Sequence, residues 1–251
     1  MTKETTSVLD QIVERGKLRI AVQWLGAPDT GSPPEMYLDP ETGAPSGIAP
    51  EIGRMIAEDL DVELECVDIP WPQQIPALLE GMVDILPKHT LIPSRAVQIE
   101  FTDGRWIEIR VSCLVRKDGD VKAPEDLHRD GITIATWHGS SIAEMIRRRF
   151  PHAKLLEAQK AHEEVATGDA DAALNDSVTH RFLEINSELD LLRRDDGQVQ
   201  IFSREYNKIA VKPGDQRFLN WLNSWYDYRH AQGDVTYWAQ EWWEAYMADQ
   251  G

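Results

Sequence analysis

The order of apolar and polar segments along the chain predicts alternating strands and helices. Short apolar runs at residues 18–22 (LRIAV) and 62–69 are typical of strands. Between and after them, Ile48–Leu60 and Pro72–Glu80 carry apolar residues at helical spacing, and Val83–Leu86 is a third apolar run. Strand–helix–strand–helix–strand order predicts a mainly parallel sheet with right-handed crossovers.

The second half of the chain repeats this alternation after a turn-rich polar segment. The predicted elements are a long strand (Trp106–Arg116), then strand Gly131–Thr136, helix Ser140–Phe150, strand Lys154–Glu157, helix His162–Thr167, strand Ala172–Leu174 and a helix at Ser177–Ile185. Strands at Val199–Ser203 and Lys208–Val211 would return the chain to its first half. The pattern therefore predicts an α/β protein with two similar lobes.

Three remaining segments complete the predicted order. Ser7–Arg15 is a short amphipathic helix, and Gln23–Ser46 is a long loop rich in Pro and Gly. A loop of this length is usually functional or disordered. The aromatic-rich tail, Asp215–Met247, is helical with a break near Gly233, and its tryptophans are interpreted as packing residues.

Two stretches echo each other where a predicted strand gives way to polar residues. In both, a helix ends at a glycine (Gly81, Gly168) and an aspartate (Asp84, Asp171) opens the strand. In the first stretch the polar residues that follow are Lys88, His89 and Thr90, and Arg95 comes after them on a loop. In the second stretch they are Asn175 and Asp176. Ligands of open α/β sheets bind beyond the carboxyl ends of the strands. A cation at one strand end and an anion at the other suit a zwitterion.

The composition narrows the classes of function. A formal net charge of −17 and a pI of about 4.8 argue against nucleic-acid binding, which needs a basic face. Cys66 and Cys113 lack metal-type spacing, so two buried free thiols are favoured over a single bridge. The seven histidines show no ligand spacing, and no metal or other cofactor is predicted. There is no apolar run long enough for a membrane helix, and the amino-terminal residues lack the apolar region of a signal peptide.

The order of motifs resembles the bacterial extracellular solute-binding proteins of the polar amino acid type, the receptors of ABC importers. The matching residues are the strand Gly16–Val22, then Pro33, Pro34, Tyr37, Gly43 and Gly47, then Trp71, Ile75, Pro76, Ala77, Leu78, Gly81 and Asp84, then Thr90, Arg95, Ile99, Phe101 and Thr102, then Gly139, Ser140 and Ser141, and finally Gly168, Asp171, Ala172 and Asp176. Each motif is weak alone, but the series covers nearly the whole chain in the family's order.

This resemblance implies a type II periplasmic-binding-protein fold, in which two α/β lobes joined by two crossing strands close on a ligand like a hinged trap. Lobe one would comprise residues 1–112 plus 206–251, and lobe two residues 113–205. The crossing strands would lie near Ser112–Val115 and Arg204–Asn207. The implied partners are a small-molecule ligand and a membrane permease, and we expect a monomer. The implied location is the periplasm, with a signal peptide removed, and a cytosolic location is the alternative.

The resemblance also assigns roles to individual residues. Arg95 matches the arginine that holds the ligand's α-carboxylate, and a guanidinium presents a planar fork to two oxygens. Thr90 matches a second donor to that carboxylate, and Asp176 matches the acid that pairs with the α-ammonium. Trp71 matches a wall of the side-chain pocket. Three further tryptophans near strand ends, which are more typical of packing, are Trp24, Trp106 and Trp137.

Ser140 and Ser141 fall at the start of a predicted helix, where free backbone N–H groups favour an anion. The chain departs from the family at Lys88, where a small residue is usual, with His89 beside it. Lys88 could pair with a second carboxylate of the ligand or fill the space of an ordinary amino acid. The loop from Trp24 to Ser32 is also longer than is usual in the family. The resemblance therefore does not assign the residue that forms the pocket wall on that side.

Two functions other than that of a non-catalytic receptor are compatible with the sequence. Cyclohexadienyl dehydratases share the fold but carry a GGTNE-like turn with a glutamate as general acid, whereas this chain has HGSSIAE. The second alternative is a ligand-sensing domain of a larger receptor. The sequence favours the receptor, with Arg95 as the residue on which binding depends.

Overall fold

The computed structural model describes residues 6–23, 31–32, 36–39, 41–176, 183 and 186–235. It divides into two compact units. Unit 1 comprises Met1–Ile107 and Tyr206–Asp249, and unit 2 comprises Glu108–Glu205. No described helix is long and apolar enough to cross a membrane.

Unit 1 is built around β1 and β5, two parallel strands with Lys17 opposite Glu63 and Val22 opposite Asp68. Its helices and strands are α1 (Val8–Arg15), β1 (Lys17–Val22), β2 (Gly31–Ser32), β3 (Met36–Leu38), β4 (Pro45–Ser46), α2 (Ile48–Asp59), β5 (Glu63–Asp68), a 3-10 turn (Trp71–Gln73), α3 (Gln74–Glu80), β6 (Leu86–Thr90), α4 (Pro93–Ala96), β7 (Glu100–Phe101) and α7 (Gln216–Gln232). Strand β13 (Ser203–Val211) begins in unit 2 and ends in unit 1, where it pairs antiparallel with β6 and β7.

The core of unit 1 has two parts because helices supply apolar residues to both faces of its sheet. The larger cluster joins β1 to α1, α2 and α7 and includes Ile12, Ile20, Ile56 and Phe218. The smaller cluster, with Leu78 and Leu86, lies under α3. This arrangement confirms the predicted strand–helix alternation.

Unit 2 repeats the plan with a sheet in the order β10–β9–β11–β8–β12. Its elements are β8 (Ile107–Arg116), a 3-10 turn (Pro124–His128), β9 (Thr133–Trp137), α5 (Ser141–Arg149), β10 (Lys154–Ala158), α6 (Ala161–Thr167), β11 (Ala172–Asn175) and β12 (Leu189–Leu191). Strands β9, β10 and β11 are parallel to one another, β8 is antiparallel to β11, and β12 pairs antiparallel with β8. Separate clusters around Phe150 and Val165 cover the two faces of the sheet.

Both predicted helix breaks at glycine are confirmed. Gly81 ends α3 with a φ of 75° and Gly168 ends α6 with a φ of 88°, in the left-handed region that favours glycine. Gly233 ends α7 with a φ of 88°, where the sequence predicts a break. The second half of the predicted tail helix and the predicted helix at Ser177–Ile185 lie largely outside the described residues.

Three predicted elements are wrong in their bounds. The strand predicted at Val83–Leu86 is found at Leu86–Thr90 (β6), so it contains the polar residues Lys88, His89 and Thr90. Within the predicted range, Ile85 forms an isolated parallel bridge with Ile20. The strand predicted at Val199–Ser203 begins at Ser203, and Val199 forms only a bridge with Arg193. The long loop contains the small β2–β3–β4 sheet. The bounds of β6 and β13 follow from their pairing with each other, which joins distant segments and which the local pattern does not reveal.

Candidate functional site

Arg95 is buried in unit 1 and lies in a short helix, α4, rather than on the predicted loop. Pro93, with its fixed φ, stands in the first turn of this helix after extended Ile92. The Nη1 atom of Arg95 donates to the carbonyl oxygen of Thr90 over 3.2 Å. This hydrogen bond holds the guanidinium beside the end of β6.

Trp71, His89 and Arg95 form a compact aromatic and cationic group in unit 1. The indole of Trp71 stacks on the His89 imidazole with 4.2 Å between ring centroids and 15° between planes. The Arg95 Cζ atom lies 5.6 Å from the Trp71 ring centroid, within range of a cation–π contact. The backbone N–H of Trp71 donates to Gln23 Oε1 over 2.5 Å, at the end of β1. The structure thus brings together two residues, Trp71 and Arg95, that the sequence assigns to one site.

Thr90 is held by a residue that sequence reasoning missed. Its Oγ1 donates to Asn207 Oδ1 over 3.0 Å, and both residues are buried. The two residues are also directly opposite each other in the β6–β13 pair. Asn207 Nδ2 makes no hydrogen bond to any described residue. The hydroxyl proton of Thr90 is therefore already donated within the protein, and Asn207 adds an unused amide donor beside it.

Lys88 and His89 are buried at the end of β6, with 5% and 1% of their surface exposed. Burial lowers the pKa of His89 well below its ordinary value, and the positive charges of Arg95 and Lys88 lower it further, against a smaller opposing effect of a backbone hydrogen bond. The imidazole is therefore neutral at pH 7. This strand end carries its positive charge on Lys88 and Arg95.

Ser140 and Ser141 begin helix α5 in unit 2, as predicted, with Ser140 as the residue before its first turn. Ser140 Oγ lies 3.2 Å from Thr136 Oγ1. Ser141 Oγ donates to Glu205 Oε2 over 2.6 Å. A carboxylate of the protein itself thus binds where the sequence predicts a site for an anion, and Glu205 is a second residue that the sequence reasoning missed.

Asp176 directly follows β11 in unit 2 and is partly exposed. Its neighbour Asn175 is fully buried, and neither atom of its amide makes a hydrogen bond to a described residue. Ser112 lies opposite Asn175 in the β11–β8 pair, and its Oγ is equally unpaired within the described part of the chain. Polar groups thus concentrate at the carboxyl end of β11, where the sequence places Asn175 and Asp176 and to which the structure adds Ser112.

The other predicted aromatic residues do not form one group. Trp106 is buried in the core of unit 1, where its ring meets Tyr226 edge-on at 5.1 Å and lies 5.5 Å from Trp225. Trp137 is partly buried and packs against an apolar cluster of unit 2. Trp24 lies outside the described residues. Trp106 is a packing residue, and of the four predicted tryptophans the structure places Trp71 beside Arg95.

Metal chemistry has no visible basis in the part of the chain that the structure describes. Within those residues no group of three or more His, Cys, Asp or Glu side chains is arranged to hold a metal ion. Each unit by itself carries hydrogen-bonding and charged groups near a strand end or helix start: Arg95, Thr90 and Asn207 in unit 1, and Ser140, Ser141 and Glu205 in unit 2. Such groups are suited to binding a small polar molecule.

Comparisons with known protein sequences also indicate a protein that binds a small molecule. The sequence pattern of "Bacterial extracellular solute-binding proteins, family 3" matches residues 5–245. A glutamine-binding protein of Geobacillus stearothermophilus is 27% identical over 188 residues, which is 70% of this chain and 67% of that protein. The virulence sensor protein BvgS of Bordetella pertussis is 28% identical over 211 residues, 76% of this chain but 17% of that much longer protein.

Solved structures extend the likeness to the fold. The ancestral amino acid-binding protein AncCDT-1, described as a precursor of cyclohexadienyl dehydratase, is 26% identical with a TM-score of 0.78, covering 94% of this chain and 99% of that one. A putative binding component of an ABC transporter from Wolinella succinogenes, solved with lysine, is 28% identical with a TM-score of 0.74, covering 91% and 96% of the two chains. Both likenesses cover almost the full length of each protein.

Proposed function

Because the chain belongs to the bacterial extracellular solute-binding proteins, family 3, and has the type II periplasmic-binding-protein fold, we propose that it is the amino acid receptor of an ABC importer. It binds a free amino acid or a similar small zwitterion and delivers it to a membrane permease without catalysis. We further propose that it works outside the cytoplasmic membrane, in line with the family's description as extracellular. The two units would be the two lobes of the family's fold.

The observation that carries this proposal is the placement of Arg95. A buried guanidinium beside an indole, fixed through the Thr90 carbonyl, is a preorganised partner for a carboxylate. In the proposed arrangement Arg95 binds the α-carboxylate and Trp71 forms a wall of the side-chain pocket. Asp176 pairs with the α-ammonium. Asn207 supplies an amide donor near Arg95, since Thr90 has donated its proton to Asn207.

In unit 2, the start of helix α5 is not proposed as the main anion-binding site. Ser141 already donates to Glu205, so an incoming anion at the start of α5 would have to displace an internal carboxylate. We therefore assign Ser140 and Ser141 a supporting part in binding. Their hydroxyls and the Glu205 carboxylate shape the polar surface near the start of α5.

The experiment is a binding comparison of three proteins: the natural chain, Arg95→Ala and Arg194→Ala. Arg194 is an exposed residue that pairs with Asp196, so its loss serves as the matched control. Thermal-shift screening with the twenty amino acids identifies a ligand, and titration calorimetry measures its affinity. Ligand at a hundredfold excess over its Kd should stabilise the natural chain by about 3 kcal/mol.

We expect Arg194→Ala to bind like the natural chain and Arg95→Ala to lose binding while keeping its circular dichroism spectrum. Normal affinity in a folded Arg95→Ala protein would contradict the assignment of the site. If Arg95→Ala is unfolded, Arg95→Lys replaces it, because it keeps the charge but loses the planar two-point donor. Reduced affinity in that variant is then the expected result.

One comparison supports a second candidate function, an enzyme of the cyclohexadienyl dehydratase type, since AncCDT-1 is described as a precursor of one. That ancestral protein is itself described as amino acid-binding, which favours the receptor. Incubation with prephenate or arogenate and detection of phenylpyruvate or phenylalanine separates the two. Product formation that is lost in Asp176→Asn would replace the receptor with the enzyme.

A further inference from the structure

The carboxyl end of strand β11 in unit 2 carries a polar pair that the proposed binding residues do not include. Asn175 is the last residue of this strand and lies directly opposite Ser112 of β8, so the two side chains leave the same face of the sheet. Asn175 is 0% exposed and Ser112 is 3% exposed. Within the described part of the chain, Asn175 Nδ2, Asn175 Oδ1 and Ser112 Oγ make no hydrogen bond. The pair thus combines a donor, an acceptor and a hydroxyl group in a buried position.

The surroundings of this pair are apolar and aromatic. Strand alternation puts Ala173 and Leu114, two positions away on β11 and β8, on the same face as the pair, and both belong to the cluster around Val165. Trp137, at the end of the adjacent strand β9, packs against the same cluster. An apolar and aromatic surface with a few polar groups is the usual lining of a small-molecule site.

An amide in such a position is unfavourable unless another group binds it. Buried polar side chains are nearly always hydrogen-bonded, because a group that leaves water without a new partner loses its hydration. An apolar side chain of similar size would occupy the position without that cost. Asn175 therefore does not stabilise the empty protein through its amide, and its chemistry indicates a bound polar group as the partner.

Asp176 connects the pair to the proposed binding site. It follows Asn175 directly in the chain, and consecutive Cα atoms are about 3.8 Å apart. Asp176 is the residue proposed to pair with the α-ammonium of the ligand. The side chain of an amino acid starts from the carbon that carries this ammonium, so a group a few bonds further along is within reach of Asn175.

We propose that Asn175 and Ser112 form a side-chain subsite for an uncharged group that both donates and accepts hydrogen bonds, so that the protein prefers amino acids with a side-chain carboxamide to the corresponding acids. The amide N–H of the ligand donates to Asn175 Oδ1, its carbonyl oxygen accepts from Asn175 Nδ2, and Ser112 Oγ adds a third contact. An ionised carboxylate has no proton to donate to Asn175 Oδ1. It would also bring a second negative charge close to Asp176.

This inference rests on the proposed function and adds the ligand class to it. The probes are L-glutamine and L-asparagine, their acids L-glutamate and L-aspartate, the apolar L-methionine and the cationic L-lysine. Affinities are measured for the natural chain, Asn175→Leu, Ser112→Ala and the control Asn220→Leu, whose asparagine is exposed in α7 of unit 1. The urea midpoint of each protein is measured without ligand.

We expect glutamine or asparagine to bind the natural chain about tenfold or more tightly than its acid, as for one or two buried hydrogen bonds. Asn175→Leu should remove this preference and keep or raise the urea midpoint, because an apolar side chain replaces an amide that lacks a partner among the described residues. Ser112→Ala should weaken carboxamide binding by a smaller factor. Asn220→Leu should keep the preference.

The opposite results separate the ligand class from the receptor function. If the acids, methionine or lysine bind the natural chain as tightly as the carboxamides, or if Asn175→Leu keeps the preference, the inference is wrong and the receptor function stands. A lowered midpoint in an Asn175→Leu protein that keeps the preference would indicate an internal water molecule at the pair instead of a ligand.

Ser112→Ala replaces Asn175→Leu as the deciding variant if the latter is unfolded or has a lowered midpoint without the preference. It removes a single oxygen atom, so it changes the packing least. An undiminished carboxamide preference in Ser112→Ala then overturns the inference. If none of the twenty amino acids binds the natural chain, the receptor function and the inference both fail.

Discussion

Asp84 and Arg19 are joined through both backbone and side chain. The Asp84 N–H donates to the Arg19 carbonyl over 2.9 Å, the Arg19 N–H donates to Asp84 Oδ2 over 2.8 Å, and Arg19 Nη2 donates to Asp84 Oδ1 over 2.8 Å. Asp171 and Thr133 repeat the backbone part in unit 2, with Asp171 N–H to Thr133 carbonyl at 2.9 Å and Thr133 N–H to Asp171 Oδ2 at 2.8 Å. The two aspartates therefore link the segment after a helix to the adjoining strand, which is a structural, scaffold role.

Asp84→Asn should destabilise unit 1. The Asp84 side chain is 3% exposed, and it binds Arg15 as well as Arg19. Loss of the charge leaves two partly exposed arginines without their shared carboxylate, so we expect the free energy of unfolding to fall by about 2–3 kcal/mol. Urea unfolding measures this. Asp196→Asn, at an exposed pair with Arg194, is the control and should change stability by less than about 0.5 kcal/mol. Equal effects in both variants would contradict the scaffold role.

Two glycine substitutions should differ in their effect. A methyl group at Gly104 would overlap the Tyr226 ring, whose hydroxyl is held by the Arg105 carbonyl over 2.5 Å. At Gly53 in α2 it would meet the tips of Ile20 and Leu64 at 2.8 Å and 2.9 Å, which can turn aside. We expect Gly104→Ala to lose about 1–3 kcal/mol of stability. Gly53→Ala should stay nearer neutral because alanine favours the helix. The denaturation midpoints of the two variants, compared with the natural chain, test this order.

The stability of the protein should fall in mild acid partly because of His89. The pKa of His89 is lowered in the folded state. At a pH below the ordinary histidine pKa of 6.5, the unfolded chain therefore binds a proton at this residue that the folded protein does not bind. This contribution is fully present above pH 6.5 and is lost as the pH falls towards the lowered folded-state pKa. His89→Phe keeps an aromatic ring on Trp71 and removes the titration. Between about pH 7.5 and pH 5 its stability should fall less steeply than that of the natural chain, by up to about 1.4 kcal/mol per pH unit. Parallel slopes would show that His89 titrates normally.

Both cysteines should react slowly with a thiol reagent in the folded protein. Cys66 and Cys113 are free, which settles the bridge left open by the sequence. Burial raises the pKa of the Cys66 thiol to about 11 and raises that of the Cys113 thiol further, so neither forms the reactive thiolate at neutral pH. Titration with a colorimetric disulfide should find two thiols per chain in denaturant and slow release without it. Cys66→Ser should leave one. Rapid release of a thiol from the folded protein would contradict this.

The sequence by itself determined the order of strands and helices, the glycine-ended helices and the aspartates that follow them. It also determined the family. These features are local: apolar residues at spacings of two or of three to four, and a glycine where φ must be positive, can be recognised within one short segment. Arg95, Ser140 and Asp176 could be predicted as site residues because they stand at fixed positions beside such features.

Only the tertiary structure decided where the polar strand end lies and what it contacts. Strand β6 extends through Lys88, His89 and Thr90 because β13, more than a hundred residues later, pairs with it; Asn207 is 117 residues from Thr90. Glu205 reaches Ser141 across 64 residues. The stacking of Trp71 on His89 likewise joins separate elements. Contacts of this kind depend on how distant segments pair and pack, a property that no short sequence pattern carries.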